Sequence, residues 1–396
     1  MQFPASPVVS VTNDGRGGAP RAATEESGAP MREESAATLP APPAGQPTGD
    51  EVSGARLVTS GGPTRIGRRN AYAALDLGTN NCRLLIAEAA AYGFRVVDAF
   101  SRIVRLGEGL GTSDRLSEAA IARTLEALRI CRSKMEARGV VRAKIIATEA
   151  CRLAVNGADF VERVRDEVGL DLEIVDRQTE AYLAVTGCAA LADPYAESVV
   201  IFDIGGGSTE IAWLDGAATN PSTDPTLRIR AWDSLPVGVV TLAERHGGAE
   251  VTRLMFEGMV EEVADLLSRF AIRAAPAANA RHFHLLGTSG TVTTLAAMHL
   301  RLARYERRRV DGLWMSDGEV SGAIDDLLDT RLDQRADNPC IGRDRADLVL
   351  AGCAILEAIR RAFPSERLRI ADRGLREGLL MNMMREDGVW RRGSGR

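Results

Sequence analysis

Two segments of the 396-residue chain end an apolar run in an aspartate that is followed by glycine and a small polar residue. Residues 73–81 read Ala-Ala-Leu-Asp-Leu-Gly-Thr-Asn-Asn, and residues 199–209 read Val-Val-Ile-Phe-Asp-Ile-Gly-Gly-Gly-Ser-Thr. This pattern predicts a buried strand that ends in a tight turn, where glycine lets the backbone approach a ligand and present its N–H groups. Such a turn can hold phosphate. Because the pattern occurs twice, we expect a duplicated α/β unit with its ligand between the copies.

A third segment of this type, Gly287-Thr288-Ser289-Gly290-Thr291, follows the strand pattern of residues 282–286. It is predicted to open a helix, and helix N-termini offer free N–H groups and a favourable dipole to anions. The absence of a G-x-x-x-x-G-K-[ST] sequence excludes a P-loop nucleotide machine at the motif level. Residues 205–207 also lack the G-x-G-x-x-G context of a dinucleotide fold. Three such turns therefore favour a phosphate-binding α/β protein.

Strand and helix patterns alternate along the chain, which favours a substantially parallel α/β sheet. The apolar runs predict strands at 72–76, 83–87, 94–100, 144–148, 172–175, 198–202, 210–214, 228–232 and 282–286. Helical spacing and capping residues predict helices between Ser117 and Gly139 and at 159–168, 179–191, 252–270 and 290–300.

Changes in composition divide the chain into three parts. Residues 1–69 are dominated by Ala, Gly, Pro, Ser, Thr and Glu without a sustained period, which predicts a disordered tail. Asp193-Pro194 marks a second boundary, after which the strand pattern restarts. We therefore expect a tail at 1–69, a first domain at 70–192 and a second domain at 193–386.

The charge and the cysteines exclude several classes of protein. A net charge of −5 argues against a nucleic-acid partner, and no apolar stretch reaches the roughly 20 residues of a membrane-spanning helix. The six cysteines form no C-x-x-C pair, which predicts reduced thiols in a cytoplasmic protein. Since Lys134 and Lys144 are the lysines among 49 basic residues, a phosphate clamp must use guanidinium groups and backbone N–H groups.

A family resemblance rests on five segments in a fixed order. They are residues 76–83 (Asp-Leu-Gly-Thr-Asn-Asn-Cys-Arg), 147–152 (Ala-Thr-Glu-Ala-Cys-Arg), Glu180-Ala181, 202–210 (Phe-Asp-Ile-Gly-Gly-Gly-Ser-Thr-Glu) and 287–291. Over about residues 72–384 the chain resembles the exopolyphosphatase/guanosine pentaphosphate phosphatase (Ppx/GppA) family. The resemblance implies an actin-like (ribonuclease-H-like) duplicated two-domain α/β fold with an interdomain cleft.

The closing segment, residues 368–378, resembles the last strand and helix of that family, and we expect the helix to pack back across the domain junction. Arg376 and Glu377 are predicted to form an intramolecular pair. The chain resembles a short form without C-terminal helical domains, which predicts low processivity on long polyphosphate.

The resemblance implies a phosphohydrolase that removes the terminal phosphate of inorganic polyphosphate or of pppGpp, with Mg²⁺ as its cofactor and a role in the stringent response. Both substrates present the same terminal anhydride to the same turns. A small-molecule kinase of the same superfamily and a non-catalytic nucleotide or polyphosphate sensor are the alternatives. Members of this family often dimerise, so a homodimer is a further expectation.

The resemblance also implies site residues. The expected phosphate-binding residues are Gly78, Thr79, Asn80, Arg83, Arg152, Gly206, Gly207, Ser208 and Ser289. The expected Mg²⁺ ligands are Asp203 and Glu210, with Asp76 acting directly, through water or by orienting its loop. Glu180 matches the family's catalytic glutamate, and its place at a helix start predicts a lowered pKa. Thr179 and Tyr182 depart from the family's usual pattern there. Glu149 is either a turn cap or part of the Arg152 segment.

Overall fold

The computed structural model describes residues 70–91, 93–216 and 224–390, so the predicted disordered tail at 1–69 lies outside the described residues. Its strands are β1 (Ala71–Leu77), β2 (Asn81–Ala89), β3 (Phe94–Ile103), β4 (Val140–Ala147), β5 (Glu173–Ile174), β6 (Ser198–Ile204), β7 (Thr209–Asp215), β8 (Ile229–Leu235), β9 (Phe283–Thr288), β10 (Trp314–Ser316) and β11 (Arg367–Ala371). Its α-helices are α1 (Leu110–Ser113), α2 (Glu118–Ala137), α3 (Glu149–Leu153), α4 (Gly157–Val168), α5 (Arg177–Cys188), α6 (Val239–His246), α7 (Arg253–Ala278), α8 (Gly290–His299), α9 (Arg307–Val310), α10 (Asp317–Leu328), α11 (Leu332–Asp337), α12 (Val349–Ala362) and α13 (Leu375–Glu386).

The two sheets repeat one topology. The first has the order β3-β2-β1-β4-β5, and the second, read from its other edge, has the order β8-β7-β6-β9-β11-β10. In each, three antiparallel strands are followed by parallel neighbours of the first strand. The second sheet adds β10 as an antiparallel edge. This repeated order is the actin-like, ribonuclease-H-like duplicated α/β fold that the resemblance implied.

The inner strands are buried because they read as continuous apolar runs. In β1 and β6 every residue is buried except the aspartate next to the last position, Asp76 and Asp203. A strand buried on both faces is typical of the centre of an α/β sheet. Each aspartate is therefore a carboxylate at the end of an apolar strand, where solvation is poor and neighbouring charges act strongly.

The helix boundaries follow their capping residues. The Ser117 hydroxyl accepts from the Ala120 N–H at 3.2 Å, and Gly139 follows the helix at φ 60°. Gly169 ends α4 at φ 68°, where a side chain would be strained. The helix predicted at 252–270 begins after Thr252 and extends to Ala278. The strand predicted at 172–175 contains two residues, Glu173–Ile174.

Helix α13 joins the two halves. Leu375, Leu380 and Met383 lie in one apolar cluster with residues of β1 and α5. A Cβ atom on Gly378 would stand 2.2 Å from the Leu183 carbonyl oxygen, so α13 and α5 can pack this closely only because glycine lacks a side chain. The C-terminal helix, which follows the last strand of the second sheet, thus packs against the first sheet and α5.

The six cysteines are free and buried in the described part of the chain, as their spacing predicted. None of the helices that the structure describes has the length and apolar character needed to cross a membrane.

Candidate active site

One cavity lies where the turns of the two sheets meet. The predicted site residues that line it are Asp76, Gly78, Thr79, Asn80, Arg83, Glu180, Asp203, Gly206, Gly207, Ser208, Glu210 and Ser289. The fold therefore brings together twelve of the thirteen predicted residues; Arg152 is not in the lining. The third turn contributes Gly290 and Thr291 as well.

The β1–β2 turn is held from both sides. The Gly78 N–H donates to the Asn81 carbonyl at 2.9 Å, and the Asn80 carbonyl accepts from Val104 and Arg105. Thr79 and Asn80 are buried. The turn is thus a rigid part of the cavity wall.

The second turn touches the first directly. A Cβ atom on Gly206 would lie 3.0 Å from the Thr79 Cβ and 3.1 Å from the Asn80 nitrogen, and one on Gly207 would lie 2.7 Å from the Thr79 Oγ1. These approaches require glycine, since the facing atoms belong to a buried turn. The glycines at 206 and 207 allow the two turns to meet at the wall of one cavity.

The third turn ends β9 and caps α8. The Ser289 hydroxyl accepts from the Thr291 and Val292 N–H groups at 3.0 and 3.4 Å. Ser289 holds φ 149°, a backbone conformation that residues other than glycine seldom adopt and that occurs mainly at functional sites. The cap leaves the Gly290 N–H at the helix start without an intrahelical acceptor. The helix end therefore offers a donor and a positive dipole to an anion.

Two arginines flank this helix start. A Cβ on Gly290 would lie 3.5 Å from the Arg345 Nη1 and 4.0 Å from the Arg83 Nη2. Arg83 was predicted as a phosphate-binding residue, whereas Arg345 was missed. It stands in a short 3₁₀ turn (Arg343–Arg345) that follows a single glycine, Gly342, and no strand, so no motif distinguishes it from the other arginines. The lining residues Ile341, Leu348 and Val349 were missed for the same reason.

Carboxylates crowd the cavity. Burial raises the pKa of Asp203 to about 7, against the opposing charge of Arg83. Burial likewise raises the pKa of Glu210 to about 7, and the negative charge of Asp203 adds to the rise. Burial raises the pKa of Asp76 as well. Buried like charges destabilise one another, so a cation bound among these carboxylates would stabilise the site.

The donor set fits Mg²⁺. Asp203 and Glu210 are paired in register across β6 and β7, so their side chains share one face of the sheet. The Asn80 side-chain oxygen, in the same cavity, is buried without a hydrogen-bond partner among the described residues. Within those residues no three His, Cys, Asp or Glu side chains are grouped to hold a metal unaided. Mg²⁺ characteristically takes one or two carboxylates and completes its shell with water and substrate oxygens.

Glu180 is held by a chain of charges. The Arg152 Nη2 donates to the Glu180 Oε2 at 3.0 Å and also to Glu149, while its Nη1 donates to the Val175 carbonyl at 2.5 Å. Arg177 donates to the other oxygen of Glu149 at 2.7 Å. Arg152 thus reaches the site through Glu180, and its predicted contact with phosphate stays a prediction.

The predicted lowering of the Glu180 pKa is wrong. Burial raises that pKa well above its usual value, and the negative charge of Glu210 adds to the rise, while Arg152 opposes it. The Asp176 carboxylate caps α5 by accepting from the Thr179 N–H at 2.7 Å, so Glu180, four residues after the cap, is at the end of the first helical turn. Desolvation in the cleft outweighs the helix dipole. A carboxylate with a raised pKa is better suited to accept a proton near neutral pH.

Glu149 is a buried ion-pair partner, only 2% exposed. Burial opposes its ionisation, but the hydrogen bonds of Arg177 and Arg152 outweigh that effect and lower its pKa. The Arg376–Glu377 pair is absent from the described residues. Glu377 pairs instead with Arg307 at 2.8 Å and accepts from the Gly374 N–H at 2.9 Å.

The duplicated fold brings three glycine-containing turns together around one carboxylate-rich cavity. The model of the Ppx/GppA phosphatase family matches residues 85–387. The chain belongs to this family.

Solved structures agree with that assignment. The chain is similar to the Aquifex aeolicus PPX-GPPA enzyme at 30% identity and a TM-score of 0.64, covering 79% of this chain and 99% of that one. An exopolyphosphatase from Cytophaga hutchinsonii is 23% identical with a TM-score of 0.72, covering 80% and 98%. The second likeness shows the shared fold.

Proposed function

We propose that this protein is a Mg²⁺-dependent phosphohydrolase that cleaves the terminal phosphoanhydride of inorganic polyphosphate or pppGpp. The observation that carries the proposal is the position of Glu180. This carboxylate lines the cavity formed by the phosphate-binding turns, its pKa is raised by burial, and Arg152 fixes one of its oxygens. Membership of the Ppx/GppA phosphatase family and the similarity to the Aquifex aeolicus PPX-GPPA enzyme support the substrate class.

In the proposed reaction the turns hold the terminal phosphoryl group. The backbone N–H groups of residues 79–80 and 206–208 and the guanidinium of Arg83 neutralise its oxygens, while the Gly78 N–H closes the first turn. Glu180 aligns a water molecule opposite the leaving oxygen and accepts its proton as the water oxygen bonds to phosphorus. The P–O bond to the leaving oxygen breaks, which releases inorganic phosphate and a substrate shorter by one phosphate. Mg²⁺, held by Asp203 and Glu210, would supply charge neutralisation to the phosphate oxygens.

The test is a phosphate-release assay with tripolyphosphate, long-chain polyphosphate and pppGpp, each with and without Mg²⁺. The wild-type chain is expected to release phosphate without an organic acceptor, and Glu180→Gln is expected to lose about 10²–10⁴-fold in kcat while still binding substrate. Strict dependence on an organic hydroxyl would favour the kinase alternative. Binding without turnover by the wild type would favour the sensor.

Two expectations from the resemblance accompany this proposal, dimerisation and a part in the stringent response, and the cysteine pattern adds a third, action in the cytoplasm. The domain division at 192/193 stays a prediction, and it lies in the segment between the 3₁₀ turn Ala189–Leu191 and β6. Limited proteolysis there, and sedimentation of the intact chain, would examine the division and the oligomeric state.

A further inference from the structure

Residues 301–309, here called the arginine segment, carry an uncompensated positive charge. The sequence Arg-Leu-Ala-Arg-Tyr-Glu-Arg-Arg-Arg contains five arginines and one acid, Glu306. Arg301, Arg304, Arg308 and Arg309 are exposed, and their guanidinium groups have no ion-pair or hydrogen-bond partner among the described residues. Only Arg307 is engaged, by the Asp372 carbonyl and Glu377. Such a surface attracts a polyanion.

The acids nearest to the segment are already paired. Tyr305 donates to the Asp372 Oδ2 at 2.6 Å, and Arg307 satisfies Glu377. Asp311 accepts from Arg373 at 3.1 and 3.2 Å. Glu306 is the one acid of the segment, so its four unpaired arginines leave a net positive charge there.

The arginine segment borders the same sheet edge as the candidate active site. Asp372, which Tyr305 contacts, directly follows β11, and β9 separates β11 from β6 with its Asp203. Two strand spacings correspond to about 10 Å along that edge. The cavity and the arginine segment are thus neighbours at the carboxyl ends of the parallel strands.

Arg376 lies between the cavity and the arginine segment. It follows Leu375, which lines the cavity, and its guanidinium has no hydrogen-bond or ion-pair partner in the described part of the chain. Burial raises the pKa of Asp372, and the charges of Arg307 and Arg376 oppose that rise. Burial likewise raises the pKa of Asp203, again with Arg376 among the opposing charges. Burial lowers the pKa of Arg376, and the charges of Glu377 and Asp76 oppose that effect, so Arg376 is a single cation between the cavity and the arginine segment.

We propose that the arginine segment docks the distal phosphates of a linear polyphosphate whose terminal phosphate lies in the cavity. This inference rests on the proposed function and chooses polyphosphate within it. Guanidinium groups bind phosphate oxygens in a fixed fork, and a row of them matches a repeating polyanion. Single-stranded nucleic acid is bound by rows of aromatic side chains on which the bases stack. The arginine segment contains one aromatic residue, Tyr305, whose hydroxyl donates to Asp372. Its other exposed side chains are mainly charged, which favours polyphosphate.

The test removes charge without touching a paired side chain. The double variant Arg308→Ser/Arg309→Ser is compared with the matched control Arg269→Ser/Arg281→Ser, which removes two exposed, unpaired arginines elsewhere. Arg281 precedes β9 and so lies at the opposite edge of the sheet. Full-length proteins are titrated calorimetrically with long-chain polyphosphate in EDTA, and phosphate release from long-chain polyphosphate and tripolyphosphate is measured with Mg²⁺. Thermal unfolding verifies that each variant is folded.

The arginine-segment variant is expected to bind long-chain polyphosphate about tenfold more weakly. The slope of log affinity against log salt concentration should become less steep by about 1–2. The ratio of its KM for long-chain polyphosphate to its KM for tripolyphosphate should rise about tenfold, whereas the control should stay within about twofold of wild type in both measurements. Charge reversal, Arg308→Glu/Arg309→Glu, should enlarge the loss.

Unchanged affinity, or equal weakening in the control, would overturn the inference. So would an RNA homopolymer that competes as well as polyphosphate at equal phosphate concentration, because the segment would then be a general nucleic-acid surface. If the wild type releases no phosphate from any substrate, the proposed function fails, and the titration still decides whether the arginine segment binds polyphosphate.

Discussion

Replacing Arg152 with methionine separates two roles for this residue. The side chain is 18% exposed and donates to Glu149, to the Val175 carbonyl and to Glu180. Methionine fills much of the same space without charge. Glu149 keeps Arg177 as a partner, whereas Glu180 loses the cation that hydrogen-bonds to it. The charge and the hydrogen bond of Arg152 oppose the rise of the Glu180 pKa, so their loss raises that pKa further.

The assay is the pH dependence of kcat/KM for phosphate release. Because Glu180 must be deprotonated to accept a proton, a higher pKa moves the acid limb of the profile to higher pH. At pH 7 the variant should lose about tenfold or more in kcat/KM, since one pH unit corresponds to a factor of ten, and should recover as the pH rises. Arg152→Lys retains the charge and should keep the limb near its wild-type position.

Arg177→Met is the matched control, because Arg177 contacts Glu149 but not Glu180. Its acid limb should stay in place. If Arg152→Met raises KM for tripolyphosphate and leaves the acid limb unmoved, Arg152 binds substrate directly and the reasoning from the ion-pair chain is refuted. Thermal unfolding is measured in parallel, since removal of one partner of a buried pair costs about 3–5 kcal/mol.

Two further substitutions examine the contact between the halves. Gly206→Ala places a Cβ 3.0 Å from the Thr79 Cβ, and should lower stability by about 1–3 kcal/mol in thermal unfolding and raise KM. Gly318→Ala, where a Cβ meets nothing within 4 Å, should neither lower stability nor raise KM. Equal melting temperatures for the two variants would contradict the close approach of Gly206 to Thr79. Asp347→Asn breaks the pair in which Arg105 donates at 3.0 and 3.1 Å. Because both side chains are about one-third exposed, stability should change by less than about 1 kcal/mol while KM rises, and an unchanged KM would show that this pair does not hold the cleft closed.

The turns and the duplicated fold could be predicted because the signals are local. An apolar run that ends at Asp76 or Asp203 and breaks at glycine has few structural solutions. The resemblance then supplied the pairing of the halves. Twelve predicted residues consequently line one cavity.

Arg345 and the pKa of Glu180 could not be predicted because they depend on distant parts of the chain. Arg345 reaches the start of α8 only through the packing of the apolar core around the second sheet. The buried helix α12, which belongs to that core, was also not predicted. A helix start alone lowers the pKa of Glu180. The burial in the cleft and the negative charge of Glu210, which raise that pKa, arise only when the tertiary fold forms. The same limit applies to Arg152, whose partners Glu149 and Glu180 are fixed by separate helices.

The duplicated hairpins differ in one charge, and this difference gives them unequal chemistry. Asp76 is paired in register with Arg83 across β1 and β2, whereas Asp203 is paired with Glu210 across β6 and β7. Residues directly opposite on neighbouring strands point to the same face, so the first hairpin presents a carboxylate with its own cation and the second presents two carboxylates. The pKa of both Asp203 and Glu210 is raised to about 7, with burial as the main cause. A phosphate anion is therefore favoured beside Arg83 and a cation beside Asp203 and Glu210. The contact of Gly206 with the first turn holds these two preferences side by side, an arrangement that fits the proposed cleavage of a metal-bound phosphoanhydride.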